Sequence, residues 1–320
     1  MIILAIESSC DELSIAILNN GKVLTNIISS QIKDHQKFGG VVPELAARLH
    51  LENIEFVIKS ALKEADLSIN EIEAVGYTQT PGLIGSLIVG KIIAQTIARY
   101  LNVPLYPCHH ILGHIYGASI EKEFVYPVLA MVVSGGHTQI QLLNSVEDYE
   151  IIGQTQDDAI GECYDKVARY LGLNYPGGPE IDKLAKSGNP DAYKLPIPKT
   201  ENEFDFSYSG LKTACINLIN KMKQNNQKIN IADFSASFQK IAVEAIAEKF
   251  EKAVKKYQPK TITVAGGVSA NSSIRQKIME IGENNQINNI IIPKLEYCTD
   301  NGAMIGKLTQ EMINISKKLI

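Results

Sequence analysis

Short apolar runs and helix-like patterns alternate along the chain. Near the start, three runs rich in Ile, Leu and Val are each bounded by polar turn residues, at residues 2–6, 13–18 and 23–28. Such runs predict a meander of three short strands. Over residues 44–65, apolar positions recur every three or four residues, which is typical of one buried helix face. Strand, helix, strand and helix patterns then follow at residues 74–78, 83–100, 103–106 and 110–118, which predicts the order βββαβαβα.

The same order of elements begins again near residue 128. Three more predicted strands are followed by helices and then by two further strands, at residues 128–133, 138–143, 149–155, 261–265 and 290–292. The first hairpin of each part has the same layout, with an apolar strand, a turn of small residues and a second apolar strand. The sequence therefore predicts a duplicated α/β protein.

Composition and charge limit the classes of protein to consider. With 320 residues, of which 45% are hydrophobic and 21% charged, the chain is long enough for about two domains of ~150 residues each. Its five cysteines are scattered and never spaced as CxxC, which argues against a disulfide framework or a zinc ribbon and favours a reducing cytosol. A net charge of -4 does not by itself predict nucleic-acid binding.

Neither a membrane segment nor an export signal is expected. The longest apolar stretch, residues 83–98, is interrupted by Lys91 and Gln95. Met1 leads directly into an apolar strand without a basic leader. We therefore expect a cytoplasmic protein with no membrane partner.

Two turns of small residues, around Ser8 and Ser9 and around Gly135 and Gly136, occupy equivalent places in the two halves. Such turns expose consecutive backbone N–H groups, and two that face each other across a cleft can hold phosphates. Singly, each is an ordinary hairpin turn, but their repetition favours the phosphate-binding interpretation. We expect a side chain at Gly135 or Gly136 either to intrude on the phosphate or to disfavour a positive φ.

A third glycine cluster, Gly266 and Gly267, follows the predicted strand at residues 261–265 and precedes a helix. A strand, a glycine turn and a helix N-terminus together favour anion binding, and the amide of Asn271 could hydrogen-bond a ribose or a base. A tight strand-to-helix connection without a ligand is the alternative. The sequence leaves both open.

A metal site is predicted from two histidines. His110 and His114 are four residues apart, so on a helix they lie about 40° apart on one face, within reach of a single ion. The best candidate for a third ligand is Asp300, just after the last predicted strand. Two histidines and one carboxylate leave coordination positions open and are compatible with Fe2+ or Zn2+. Histidines without a metal, in the core or at the surface, are the alternative.

Five motifs occur in one order along the chain: IESSCDE at residues 6–12, HILGH at 110–114, SGGHT at 134–138, YPGGP at 175–179 and AGGVSAN at 265–271. Together they resemble the TsaD family of tRNA threonylcarbamoyladenosine synthases, and the resemblance spans nearly the whole chain. It implies two duplicated ribonuclease-H-like domains of the actin-like ATPase type with a nucleotide cleft between them. We expect the first domain at residues 1–119, completed by a C-terminal helix at 300–320, and the second at 120–299.

The resemblance also implies an activity. Members of the family are acyltransferases that move threonylcarbamoyl from threonylcarbamoyl-AMP to the exocyclic amine of the adenosine 3′ to the anticodon, in tRNAs that read codons starting with A, and release AMP. The resemblance implies one divalent metal per chain, with Fe2+ favoured over Zn2+, held by His110, His114 and Asp300. In bacteria it implies two helper proteins, an inactive paralogue called TsaB and a small ATPase called TsaE.

Further site residues follow from the motifs of the family. The positions matched to adenylate binding are Val133, Ser134, Gly135, Gly136, His137, Asp165, Gly178, Asp182 and Asn271. Ser9, Asp11 and Glu12 lie on the first hairpin turn and are the candidate catalytic residues. One of the two carboxylates could accept the proton of the amine, although a plain polar turn fits the sequence nearly as well.

Three rival functions agree less well with the residues. A zinc metallopeptidase of the common type needs the HExxH motif, and here Ile111 follows His110 in place of the glutamate. A small-molecule kinase has the same duplicated architecture but no use for a histidine pair at its site. A scaffold ATPase needs a separate client-binding domain, which the predicted elements do not provide.

Overall fold

The computed structural model describes residues 1–318. The contacts of the chain divide it into two units, of which the first contains Met1–Glu123 and the chain from Pro293 onward, and the second contains Phe124–Ile292. The domain boundaries placed at 119/120 and 299/300 stay a prediction. Residues 319 and 320 of the predicted terminal helix lie outside the described residues.

The described residues contain ten strands and ten α-helices. The strands are β1 (Ile2–Glu7), β2 (Glu12–Asn19), β3 (Lys22–Ser30), β4 (Ala74–Thr80), β5 (Leu105–His109), β6 (Val128–Val133), β7 (Thr138–Leu143), β8 (Tyr149–Gln154), β9 (Thr261–Ala265) and β10 (Asn289–Ile291). The helices are α1 (Ile32–Gln36), α2 (Pro43–Glu64), α3 (Ile84–Leu101), α4 (His110–Gly117), α5 (Ile160–Leu171), α6 (Gly177–Ala185), α7 (Ser209–Gln224), α8 (Ile231–Tyr257), α9 (Ser272–Asn284) and α10 (Gly302–Lys318).

The first unit is built on a five-stranded sheet in the order β3-β2-β1-β4-β5. Strands β1, β2 and β3 form the predicted antiparallel meander, while β4 is parallel to β1 and β5 is parallel to β4. The central strand β1 is buried on both faces because helices cover both sides of the sheet. Leu4 and Ile6 pack with residues of α2 and α3 on one face, whereas Ile3 packs with residues of α10 on the other.

The second unit repeats this topology with the sheet order β10-β9-β6-β7-β8. Strands β6, β7 and β8 are antiparallel, β9 is parallel to β6, and β10 is parallel to β9. Strand β6 is buried along its whole length, and the long helix α8 adds Phe234, Phe238 and Phe250 to the same core. The duplicated α/β architecture predicted from the sequence is therefore confirmed.

Helix α3 has an unusually exposed apolar side. Among the described residues it is the one helix long and apolar enough to cross a membrane, judged by length and composition alone. The interruptions at Lys91 and Gln95 therefore do not exclude a membrane span on these two criteria, and the expectation of no membrane segment stays a prediction. Only 22% of this helix is buried, and Ile84, Ile88 and Ile92 are exposed. Exposed apolar stripes of this kind mark contact surfaces.

Candidate functional site

Three predicted metal ligands converge in the first unit. Strand β5 ends at His109 and α4 begins at the next residue, which places His110 and His114 on one face of that helix. Their rings are in edge contact, with centroids 4.6 Å apart. Asp300 Oδ1 lies 3.0 Å from Nε2 of His114 and 3.6 Å from Nε2 of His110. The three side chains therefore form one cluster.

The donor atoms of this cluster fit a divalent cation. One possible ligand atom from each side chain lies within 4.8 Å of the others. Bonds of about 2.0–2.2 Å to nitrogen and oxygen place ligand atoms roughly 3–4 Å apart, so small side-chain movements are sufficient. Two imidazoles and one carboxylate are also the donor set of non-haem iron sites, and related sets bind catalytic zinc.

The start of α10 holds Asp300 in place. Asn301 is buried, and its Oδ1 accepts a backbone N–H from the first turn of α10 at 3.0 Å, which caps the helix. The N–H of Gly302 donates to Ser14 Oγ of β2 at 2.8 Å. A side chain at position 302 would meet the backbone N of Ala16 at 2.5 Å, so only glycine allows α10 to start this close to β2.

The charged groups of the cluster change each other's pKa. Burial alone would lower the pKa of His110, but the carboxylates of Glu7 and Asp300 outweigh burial and raise it to about 9. Burial alone would raise the pKa of Asp300, but His110 and His114 outweigh it and hold that pKa well below its usual range. Without a cation, the cluster therefore contains a protonated His110 and an ionised Asp300. A cation bound there would displace the proton from Nε2 of His110.

The first hairpin turn lies beside this cluster. Ser9 is buried, and its Oγ donates to Asp300 Oδ2 at 3.5 Å, the long limit of a hydrogen bond. Glu12 begins β2, and burial raises its pKa to about 8, with further increases from the charges of Asp300 and Asp11. Asp11 is partly exposed, and its carbonyl accepts the N–H of Gln31 at 3.2 Å. Ser9 is thus in hydrogen-bond contact with one predicted metal ligand, and Glu12 is close enough for the charge of Asp300 to change its pKa.

Glu7, inside the first motif, was not selected from the sequence. It is the last residue of β1 and is fully buried. Its carboxylate accepts hydrogen bonds from the N–H of Ser9 at 2.6 Å, from the hydroxyl of Thr78, and from Nδ1 of His110 at 3.3 Å. It therefore joins the first hairpin turn to one of the predicted metal ligands.

The predicted phosphate-binding turn joins β6 to β7 in the second unit. Val133 is the buried last residue of β6. The N–H of Ser134 donates to the carbonyl of His137 at 2.8 Å, and the N–H of His137 donates to Ser134 Oγ at 3.0 Å. Gly135 and Gly136 at the tip are exposed, and their N–H groups have no partner within the described part of the chain. Two adjacent donors are thus open to a ligand.

The two glycines of this turn are not left-handed. A side chain at Gly135 or Gly136 would meet no atom within 4 Å, and neither residue has a positive φ. The expectation of a positive φ here is wrong, because hydrogen bonds between Ser134 and His137 close the turn without it. The intrusion of a side chain on a phosphate stays a prediction.

The left-handed glycine lies in the third cluster instead. Gly266 follows β9 with a φ of 89°, and a side chain there would lie 2.4 Å from the carbonyl oxygen of Val133. Since β9 lies beside β6, Gly266 packs against the point where the predicted phosphate-binding turn begins. Only glycine meets both requirements. The tight strand-to-helix connection therefore accounts for Gly266 without a ligand.

The residues predicted to bind the nucleoside lie on α5, on α6 and at the start of α9. Asp165 Oδ1 accepts the N–H of Gly177 at 2.7 Å, and burial raises the pKa of this carboxyl. Gly178 has open space where a side chain would be. Asn271 caps α9, because its Oδ1 accepts two backbone N–H groups of the first turn at 3.0 and 3.1 Å. Its Nδ2 donates one of its two hydrogens to Gln239 Oε1 at 2.8 Å.

Gln239 of α8 is a second residue that the sequence analysis missed. Its Nε2 donates to Asp182 Oδ1 at 3.0 Å and to Ser273 Oγ at 2.9 Å. Its Oε1 accepts Asn271 Nδ2 at 2.8 Å and the hydroxyl of Tyr164 at 3.4 Å. This buried amide therefore makes the four hydrogen bonds it can make and fixes Asp182 and Asn271 relative to each other.

The chain is similar to known proteins over its whole length. Residues 22–307 match the model of the TsaD family, described as tRNA N6-adenosine threonylcarbamoyltransferase. A protein of that name from Mycoplasma capricolum is 63% identical over 319 residues and covers 100% of both chains. Another, from Staphylococcus saprophyticus, is 48% identical over 95% of this chain and 89% of its own.

Solved structures match the fold. Full-length HypF in the phosphate- and nucleotide-bound form superposes with a TM-score of 0.63 at 13% identity, covering 98% of this chain and 46% of its own. The activator of the 2-hydroxyisocaproyl-CoA dehydratase from Clostridium difficile with bound ADPNP gives 0.55 at 13% identity, covering 100% and 98%. At these identities the matches show the fold alone, which is that of actin-like ATPases.

Proposed function

Since the chain belongs to the TsaD family of tRNA N6-adenosine threonylcarbamoyltransferases, we propose that it is an acyltransferase that modifies tRNA. The donor is threonylcarbamoyl-AMP, and the acceptor is the exocyclic amine of the adenosine 3′ to the anticodon in tRNAs that read codons starting with A. The amine nitrogen bonds to the carbamoyl carbon, the bond from that carbon to the phosphate oxygen breaks, AMP leaves, and the amine loses a proton. Since this substrate is cytoplasmic, we place the protein in the cytoplasm.

We propose that His110, His114 and Asp300 hold one divalent cation. The support is the convergence of three suitable donors within 4.8 Å in a chain of this family. Fe2+ is the ion that we propose, and Zn2+ suits the same ligands. A cation bound there would supply Lewis-acid polarisation of the acyl donor.

We assign adenylate binding to the second unit. The free N–H groups of Gly135 and Gly136 can donate to phosphate oxygens, which are negatively charged and bind such adjacent donors well. The carboxylates of Asp165 and Asp182 can accept hydrogen bonds from ribose hydroxyls. Asn271 contributes through the second hydrogen of its Nδ2, because its Oδ1 caps α9 and the other Nδ2 hydrogen is donated to Gln239.

We assign the role of proton acceptor to Glu12. An aromatic amine is a weak nucleophile, so a base that removes its proton during attack speeds the transfer. Because burial and its neighbours raise the pKa of Glu12 to about 8, its ionised form is a stronger base than an ordinary glutamate, and the fraction in that form grows as pH rises towards 8. Asp11 adds to that increase, and Ser9 holds the turn beside Asp300.

We propose that the inactive paralogue TsaB covers the exposed apolar side of α3, and that TsaE acts with the resulting pair. Ile84, Ile88 and Ile92 recur every four residues along this side, with exposed fractions of 77%, 48% and 54%. An apolar stripe on one helix face can pack against an apolar helix of a partner with a similar fold, because the ridges of side chains on one helix fit into the grooves of the other.

The docking surface is tested by one pair of variants. Ile88→Asp places a charge on the stripe, whereas Ile151→Asp changes a residue of β8 with almost the same exposure, 47%. Gel filtration of each variant with purified TsaB should show loss of the complex for Ile88→Asp only. A complex that forms equally well with both variants would contradict this docking surface.

The metal-dependent activity is tested by removing ligands singly. We expect His110→Ala, His114→Ala and Asp300→Ala to lose bound iron and transfer activity while staying folded. His109→Ala is the matched control, because His109 precedes the cluster on β5 and is not one of the three ligands. Elemental analysis, the rate of tRNA modification and circular dichroism are measured together. Full metal content in the double variant His110→Ala, His114→Ala would refute this ligand assignment.

A further inference from the structure

Glu7 is an acidic residue placed in the core of the first unit. It ends the central strand β1 directly after Ile6, and neither residue has any solvent exposure. An ionised carboxylate is unfavourable in such a place unless hydrogen bonds and an opposite charge compensate for the lost water. An apolar residue would suit a strand end with no other role.

The hydrogen bonds of Glu7 lead to two groups of functional residues. Its Oε1 accepts the N–H of Ser9 at 2.6 Å, within the turn that carries the candidate proton acceptor. Its Oε2 accepts the hydroxyl of Thr78 and lies 3.3 Å from Nδ1 of His110. The other ring nitrogen of His110 lies 3.6 Å from Asp300 Oδ1. One carboxylate therefore touches both the turn and the metal cluster.

The contact with Glu7 determines which nitrogen of His110 can bind a metal. A carboxylate only accepts hydrogen bonds, so Nδ1 must carry a hydrogen, and Nε2, on the side of Asp300, is the nitrogen that gives up its proton when a metal binds. His114 has no such partner, because its Nδ1 is buried without a hydrogen bond in the described structure. His110 is thus oriented for the metal in advance, whereas His114 is held by its ring packing and by Asp300.

We propose that Glu7 is a positioning residue, which fixes the tautomer of His110 for metal binding and ties the first hairpin turn to the same ligand. The inference rests on the metal site of the proposed function and adds the residue that sets the affinity of that site. Outer carboxylates on ligating histidines typically change metal affinity by about 10–100-fold when they are removed.

Glu7→Gln is the informative change because it keeps the size of the side chain. Its amide has one oxygen and one NH2, so it must present a donor either to the N–H of Ser9 or to Nδ1–H of His110. One contact is then lost, or His110 moves its hydrogen to Nε2, which can no longer bind the metal. Thr78→Val is the matched control, since it removes another hydrogen bond to the same carboxylate and leaves the contact with His110 in place.

The test is a titration of metal-free protein with Co2+, followed by its visible absorption, on the full chain of the wild type and of both variants. We expect Glu7→Gln to bind Co2+ about 10–100-fold more weakly and with a changed spectrum, and Thr78→Val to bind much as the wild type does. Thermal melts show that each protein is folded. Equal Co2+ affinity and spectrum for folded Glu7→Gln, or an equal loss in Thr78→Val, would overturn the proposal.

His110→Ala separates this inference from the proposed function. If His110→Ala binds Co2+ like the wild type, the metal site itself is wrong. If His110→Ala loses Co2+ and Glu7→Gln does not, only the role of Glu7 is wrong. Should Glu7→Gln fail to fold, Glu7→Asp keeps the charge and shortens the reach to His110. If Glu7→Asp binds Co2+ more weakly than the wild type but more tightly than His110→Ala, the proposal is supported. If Glu7→Asp binds Co2+ with the affinity of the wild type, the proposal is overturned.

Discussion

Replacing Gly136 by Val should leave the protein folded but weaken its binding of an adenylate. A side chain at this position meets no atom within 4 Å, and the residue has no positive φ. We therefore expect the free energy of unfolding to change by no more than ~0.5 kcal/mol. The two methyl groups of the valine, however, would occupy the open side of the turn, where the N–H groups of Gly135 and Gly136 would donate to a phosphate. Loss of one such donor typically costs ~3 kcal/mol, or about a hundredfold in rate.

Gly266→Ala provides the opposite case. The φ of 89° and ψ of 162° at Gly266 lie in a region essentially confined to glycine, which costs any other residue about 1–3 kcal/mol. The Cβ of an alanine there would also lie 2.4 Å from the carbonyl oxygen of Val133, so the end of β6 must shift. Forced shifts in packed regions cost about 1–3 kcal/mol. Gly266→Ala should therefore lower the free energy of unfolding by at least about 2 kcal/mol, the sum of the lower bounds of the two effects.

Isothermal titration with a stable adenylate analogue and thermal melts distinguish the two effects. We expect Gly136→Val to melt like the wild type and to bind the analogue at least tenfold more weakly, which corresponds to ~1.4 kcal/mol. Gly266→Ala should melt at a lower temperature. If folded Gly136→Val binds the analogue with the affinity of the wild type, the turn is a scaffold and the phosphate is held elsewhere.

Three further changes probe other contacts. Asp157 accepts hydrogen bonds from two serine hydroxyls and two N–H groups at the start of α7, which outweigh burial and lower its pKa to about 2. Asp157 therefore adds about 1 kcal/mol, after solvent screening, to the free energy of unfolding. This stabilisation is present above the unfolded pKa of ~3.9 and is lost as pH falls through the folded pKa. In urea unfolding, Asp157→Asn should therefore lose less stability than the wild type between neutral and acid pH. Gln239→Leu should bind the adenylate analogue about tenfold more weakly, whereas Tyr164→Phe, which removes one hydrogen bond to Gln239, should not. Glu12→Gln should slow transfer by about 10²–10⁴-fold with metal content unchanged; equal rates would exclude Glu12 as the base.

The duplicated architecture could be predicted because strand and helix patterns are local. Strands β6 and β9 begin and end at the predicted residues, since both are rich in apolar or β-branched residues and are bounded by turn residues. Strand β5 was predicted at residues 103–106 and lies at Leu105–His109. Residues 107–109 of β5 pair with β4 through the backbone, and backbone pairing produces no apolar pattern in the sequence.

Contacts between distant residues could not be predicted in this way. Glu7 looks like the polar end of an apolar strand, and its partner His110 lies 103 residues away. Gln239 has an ordinary place on a long helix, and its partners are 32 to 75 residues away. The sequence also shows the same pair of glycines at Gly135 and at Gly266, but only Gly266 lies against the end of a neighbouring strand.

Nucleoside analysis of tRNA after a single turnover tests the proposed activity most directly. The purified protein, loaded with Fe2+ without oxygen and combined with TsaB and TsaE, is mixed with threonylcarbamoyl-AMP and an unmodified tRNA that reads codons starting with A. Mass spectrometry should find threonylcarbamoyl on the adenosine 3′ to the anticodon, one AMP released for each modified nucleoside, and no product with His114→Ala. Unmodified tRNA after reaction with the folded, metal-loaded protein, or full modification by His114→Ala, would contradict the assignment.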